Sequence, residues 1–200
     1  MDERLNRSET QEQILDAVGS VILREGIGGA SMRTVAKEAD VSVGLLSYHF
    51  DDKQTLILAV FRRATDRLFD ACASAAEEKQ DPAEKFRAFL RGAFTDEFLN
   101  GSYLALRIAL WALALTEDGV AALDAEFYER YSSRFRELVG AARPELAETV
   151  VADRVQDLIA GSNGLWLNWA RWRDNDALQR GLNHCEDLTL NGEIRARAQR

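Results

Sequence analysis

Basic charge is scarce in this chain. Its 200 residues hold 25 Lys and Arg against 33 Asp and Glu, a formal net charge of −8. That balance speaks against a nucleic-acid partner, because phosphate binding runs on Lys and Arg, unless a specific motif overrides it. Cysteine and histidine are scarcer still. Cys72, Cys185, His49 and His184 cannot build a disulfide framework or a typical Cys/His zinc site, and no metal or other cofactor is expected. Two prolines and an ordinary glycine content exclude collagen-like and low-complexity chains. Long hydrophobic runs are missing too: the longest, Tyr103 to Leu115, is 13 residues and contains Arg107. A membrane-spanning helix needs about 20 apolar residues, so this run reads as a buried helix and no membrane partner is expected. The first ten residues are charged at Asp2, Glu3, Arg4, Arg7 and Glu9, without the apolar centre of a signal peptide. These absences together place the chain in a reducing cytoplasm, with both cysteines as buried thiols.

What is present is helical periodicity in a chain that is 46% hydrophobic and 29% charged, a soluble and globular composition. Ile14, Val18, Val21, Ile22 and Glu25 follow helical spacing, with Thr10 or Ser8 as the expected N-cap and Gly26, Gly28 and Gly29 as the stop. Ser31 caps a second helix over about 32–39. Asp40-Val41-Ser42 forms a turn, and Ser42 caps a third helix of about seven residues through His49 or Phe50. Asp51, with Gln54 three residues on, is expected to open a long fourth helix reaching about Glu78. Further helices are predicted over about 82–99, 102–116, 119–142, 145–172 and 175–188, the first with Pro82 at its N1 position. The last ten residues, with Arg195, Arg197 and Arg200 against Glu193, are expected to fray. The fold class is all-α, with about nine helices: three short ones, one connecting, and five in a larger bundle. Two domains follow, 8–68 and 80–190.

The segment from Ser31 to Lys53 carries the functional signal. Two short helices joined by a three-residue turn have the geometry of a helix-turn-helix, about 31–50, whose second helix can enter a major groove. Val35, Ala36 and Ala39 supply a small inward face, Val41 plugs the turn, and Leu46 and Phe50 anchor the recognition helix at i, i+4. Val43 and Leu45 ahead of the first anchor, and Ser47, Tyr48 and His49 between the two, include the side chains left to face a groove.

These residues resemble the TetR family of one-component regulators. The run Val41-Ser42-x-Gly44-Leu45-Leu46-x-Tyr48-His49-Phe50-x-x-Lys53-x-x-Leu56 is similar to that family's most recognisable stretch, and Ser31-Met32-Arg33-Thr34-Val35-Ala36 to its second helix. Within the family the variant is most similar to the subgroup of choline-responsive repressors of betaine synthesis, as is the short run Gly164-Leu165-Trp166-Leu167. The close likeness covers about 8–68. Two positions depart from the family pattern. Asp40 stands where Gly is frequent, though Asp tolerates the left-handed conformation, and Ser47 stands where most members carry a phosphate-touching Tyr.

The resemblance implies a homodimeric, ligand-relieved repressor on a double-stranded, palindromic operator. It implies DNA contacts from Ser31, Arg33, Thr34, Ser42, Val43, Gly44, Leu45, Ser47, Tyr48, His49 and Lys53. Each has a plainer reading. Arg33 reads a base or is simply solvated, and His49 and Tyr48 donate to phosphate or are structural. Ser31, Ser42 and Thr34 are first of all caps and surface hydroxyls. Lys53, in a first helical turn where a cation is unfavourable, is better explained by phosphate. Arg4 and Arg7 form an arm toward DNA or stay free of it.

From about 82 onward the chain should hold a small-molecule effector and a dimer interface. Phe98, Tyr103, Arg107, Trp111, Trp166 and Trp169 are the candidate effector residues. Aromatic stripes at helical spacing are mostly core, but Trp and Tyr faces would suit a quaternary amine through cation–π attraction. Arg107 anchors a carboxylate or pairs within the fold. Val151, Val155, Leu158, Ile159, Ser162, Leu165, Trp166 and Trp169, with Leu178, Leu182 and Leu188, form the stripe expected to pair with a symmetry mate. An enzyme is excluded: no nucleophile–base pair and no Gly-rich phosphate loop is present. The alternative is a helical dimerisation or adaptor module whose helix-turn-helix no longer functions.

Overall fold

A computed structural model of the chain describes residues 2–192, with side chains from residue 9 onward. The expected Arg4 and Arg7 arm and the Ser8 cap therefore lie outside the described side chains, and the basic tail at 193–200 outside the described residues. Nine helices and no strand are found among the described residues: α1 (Asp2–Gly29), α2 (Met32–Glu38), α3 (Val43–His49), α4 (Lys53–Glu77), α5 (Pro82–Gly92), α6 (Gly101–Ala114), α7 (Asp118–Ala142), α8 (Glu148–Trp172) and α9 (Asn175–Asn191). None of them is long and apolar enough to cross a membrane.

Several element ends differ from the sequence expectation, each for a local reason. Helix α1 is not a short helix capped at Thr10. It starts at Asp2, because no glycine or proline interrupts the chain before Gly19. Its regular turns end at Gly26, whose φ of 70° and ψ of 175° an L side chain rarely adopts. Asp52 rather than Asp51 caps α4: its Oδ1 accepts from the Thr55 amide at 2.7 Å. That bond holds the Asp52 carboxyl below its usual pKa. Helix α5 stops at Gly92 instead of running to 99, and the chain turns so that buried Phe94 meets Trp166 at 5.7 Å between ring centroids.

The described chain groups into two compact units, one of residues 1–67 with 100–126 and the other of 68–99 with 127–200. In the first, Ile14, Val18 and Val21 of α1 pack with Val35, Leu46, Leu56 and Val60, and Leu106 and Leu110 of α6 complete the same core. In the second, Phe86, Phe89 and Phe135 are fully buried, and Phe89 and Tyr131 each lie 4.9 Å from Phe135 edge to face. Arg91 of α5 ties down α9, donating to Glu186 at 2.6 Å, Gln179 at 2.9 Å and Asn183 at 2.7 Å.

Helices α4 and α5 meet in the second unit at Cys72 and Gly92. A Cβ on Gly92 would stand 2.9 Å from the Cys72 Cα, so only glycine fits this crossing. The Cys72 thiol is buried there, and desolvation pushes its pKa up to about 12, so it is an inert core group. Gly92→Ala should therefore force backbone apart and cost about 1–3 kcal/mol. A lowered midpoint in urea, followed by circular dichroism, checks this.

Candidate nucleic-acid interface

The interface begins at a turn. After α2 the Val41 amide donates to the Ala36 carbonyl at 2.9 Å and the Asp40 amide to Lys37 at 3.3 Å, around an Asp40 with φ of 51°. This is the paired-bond helix stop in which the left-handed position is usually glycine. Asp40 occupies it at some strain. From α1, Gln13 Nε2 donates to the carbonyl of Ala39 at 2.8 Å and pins the turn to the core. Nothing in local sequence pattern singles out Gln13, because the partner is 26 residues away.

The turn delivers α3, which Ser42 caps by accepting from the Leu45 amide at 3.0 Å. Leu46 and Phe50 are buried as expected, and Val35, Ala36 and Ala39 receive them in one core. The opposite side is open. Val43, Gly44, Leu45, Ser47 and Tyr48 are exposed and His49 half-buried, with the Tyr48 and His49 rings edge to face at 5.5 Å. Ser31 caps α2 through the Thr34 amide at 3.1 Å, and the two hydroxyls lie 2.7 Å apart. Both hydroxyls thus have local work, as the plainer reading holds.

The basic groups sort sharply. Arg24 is bound by Glu25 and Glu38, Arg62 by Glu126, and Arg63 by Glu12 and Asp16. Arg24 in turn holds the Glu38 carboxyl below its usual pKa. Arg33 is exposed and forms no hydrogen bond or ion pair with another described residue. Lys53 is exposed at the start of α4, and its Nζ donates to the carbonyl of Ile27 at 3.3 Å. That contact gives Lys53 a structural use beside any phosphate.

The candidate effector residues fall in different units. Tyr103, Arg107 and Trp111 share one face of α6 in the first unit. There the Tyr103 hydroxyl donates to the Ala64 carbonyl at 3.3 Å, and buried Arg107 lies over the Trp111 ring at 5.1 Å. Phe98, Trp166 and Trp169 belong to the second unit. Phe98 and Trp166 are buried there. Trp169 donates to Asn175 at 2.7 Å and carries Arg173 over its face at 4.2 Å. None of the four rings in the cluster of Phe89, Phe127, Tyr131 and Phe135 is among the sequence candidates. The expected dimer stripe also needs correction. Val151, Val155, Leu158, Ile159, Ser162 and Trp166 are buried within the single chain, and α9 packs along α8 with Gly181 against Leu165 and Cys185 against Gly161.

A short helix held outward by a fixed turn, over a core of its own, defines a helix-turn-helix regulator. Residues 14–60 match the pattern of the bacterial regulatory proteins of the tetR family, and residues 82–190 that of the BetI-type transcriptional repressor C-terminal part. The chain is 29% identical to the HTH-type transcriptional regulator BetI of Paraburkholderia phytofirmans over 92% of this chain and 95% of that one. A transcriptional regulator from Saccharomonospora viridis solved with choline shares the fold at a TM-score of 0.77 and 18% identity, covering 90% and 95% of the two chains. The regulator FadR of Bacillus subtilis solved with stearoyl-CoA does so at 0.74 and 15%, covering 92% and 99%. The chain belongs to the TetR family, as a BetI-like transcriptional repressor that binds DNA, and it is not an enzyme.

The strained turn yields a direct prediction. Asp40→Gly should relieve the left-handed conformation and raise stability by about 1 kcal/mol, roughly 2–4 °C in Tm for a chain of this size. Asp40→Ala should lower it, and differential scanning calorimetry of the pair distinguishes conformational relief from loss of the carboxylate.

Proposed function

We propose that the protein acts in the cytoplasm as a homodimer that holds a palindromic operator and releases it when a small cation binds. The observation that carries the DNA half is the exposed face of α3 above buried Leu46 and Phe50, within the segment matching the tetR family pattern. Arg33 is the base-reading cation, since its guanidinium is the one near the turn without an internal partner among the described residues. Lys53, Tyr48 and His49 bind phosphate, with Thr34, Ser31 and Ser42 hydroxyls beside them.

The dimer forms through the outer faces of α8 and α9, where Ala160, Leu167 and Leu188 are exposed. A two-fold pair would set its recognition helices about 34–36 Å apart, one turn of duplex. Helix α4 is continuous from the α3 junction into the second unit, so an effector bound there changes half-site spacing by moving α4. It acts only through its differential affinity for the two arrangements. The effector class is a quaternary amine, supported by the BetI-type match and the choline-bound neighbour. Arg107 on Trp111 and Arg173 on Trp169 exhibit the same cation–ring chemistry within the chain.

Fluorescence anisotropy on the DNA upstream of its own gene tests the reading. Affinity should fall with salt, with a log–log slope near −0.9 per phosphate neutralised. Lys53→Ala should weaken all duplexes alike and reduce that slope by about 1 per contact removed, whereas Arg33→Ala should lose roughly tenfold to a hundredfold on the operator and relax base preference. Operator binding untouched by both substitutions overturns the residue roles. Isothermal titration with choline should give saturable heat and weaken the operator complex, with stearoyl-CoA as comparator. Silence with choline beside intact operator binding removes the effector class alone.

A further inference from the structure

The outward face of α3 lacks the groups that read bases by paired hydrogen bonds. Val43, Gly44, Leu45, Ser47, Tyr48 and His49 include no guanidinium, ammonium, amide or carboxylate. The bidentate pairings to guanine and adenine need Arg or Lys and Asn or Gln, and the contact to cytosine needs a carboxylate. What the face offers instead is apolar. Val43 is 45% exposed, Leu45 40% and Tyr48 64%, three large apolar side chains standing in solvent on a helix of seven residues. Core demand does not explain them, because Leu46 and Phe50 already anchor the helix. Between Val43 and Leu45 stands Gly44, where an added Cβ would have only the Ser42 hydroxyl within 4 Å, at 3.9 Å. A surface can thus come close to the backbone there, with a branched aliphatic side chain on either side.

In a major groove the one apolar feature a base pair presents is the thymine C5 methyl. A recognition helix docks with its N-terminal residues over the base edges, which here are Val43, Gly44 and Leu45. We propose that α3 reads thymine methyls: Val43 and Leu45 pack on the C5 methyls of neighbouring thymines, and the half-site beneath α3 is therefore A·T-rich. Reading of guanine falls to Arg33 on α2. This inference rests on the operator-binding reading above and specifies the base chemistry that binding would use.

The test selects duplexes from a random library with the full-length protein, then replaces each selected thymine in turn by deoxyuridine. That exchange removes one methyl and leaves base pairing intact. Burying one methyl is worth about 0.8 kcal/mol, so uracil under α3 should weaken binding about fourfold per methyl. Uracil elsewhere in the site should not. Val43→Ala and Leu45→Ala, both on exposed positions and checked for an unchanged thermal melt, should each make binding indifferent to uracil at one position. Selection of a site whose α3 half lacks thymine, or a site indifferent to uracil, overturns the methyl reading and leaves operator binding standing. Failure to enrich any duplex overturns both, and the apolar face of α3 is then a protein-docking surface.

Discussion

The helix proposed to meet DNA cannot hold itself together. Seven residues fall well below the length at which an isolated helix persists in water, so α3 exists because Leu46 and Phe50 are buried against Val35, Ala36 and Ala39. Everything functional in the head inherits its position from that burial. The two anchors fix the rotation of α3, rotation decides which side chains face outward, and the turn at Asp40 and Val41 sets its angle to α2. Gln13 adds a tether from α1 to the same turn. A loosened anchor would therefore misdirect Val43, Leu45 and Tyr48 together, without touching any of them.

That dependence explains what could be read from the chain alone. The helix-turn-helix was legible because its determinants are local. The Ser31 and Ser42 caps, the small residues at 36 and 39, and the i, i+4 anchors lie within 20 residues and act on their own neighbourhood. Asp40 was legible for the same reason, as a residue able to take a left-handed φ. The start of α1 was not, since Thr10 is a good cap that nothing obliges to act as one. Asp51 and Asp52 are chemically equal candidates, and the backbone path out of Phe50 chooses between them. The packing of α6 on α1 joins segments far apart in sequence, and the packing of α9 along α8 joins two separate helices. Periodicity shows that Val151, Val155 and Leu158 are buried but cannot name what buries them, and most of the stripe read as a partner interface is intramolecular core, whereas Leu188 stays exposed.

The acidic balance looked like an argument against DNA, and the ion pairs sharpen it into something else. Carboxylates bind Arg24, Arg62 and Arg63, so three of the head's guanidinium groups are already engaged with internal anions. Exposed ion pairs of this kind add little stability. Their larger effect is on the field. A head with these three guanidinium groups neutralised in place attracts the uniform charge of a duplex less, because sequence-independent affinity scales with the phosphates a protein neutralises.

Weak attraction to phosphate and an apolar recognition face are two expressions of one design. Phosphate contacts position a protein without telling sequences apart, whereas groove contacts tell sequences apart and contribute less to affinity. With few cations available, the proposed regulator gains little on a wrong sequence, and its contrast between operator and bulk DNA must come from the groove. Apolar contacts serve this well, because a misplaced Val43 or Leu45 meets polar base edges and loses its burial instead of finding a substitute hydrogen bond. In the proposed homodimer such a head also binds too weakly alone, so stable occupancy would rest on two heads on one duplex. Release then requires no dismantling of either head. In the proposed mechanism a shift in the spacing between them removes one half-site, and the remaining half lacks the general electrostatic grip that would keep it on DNA.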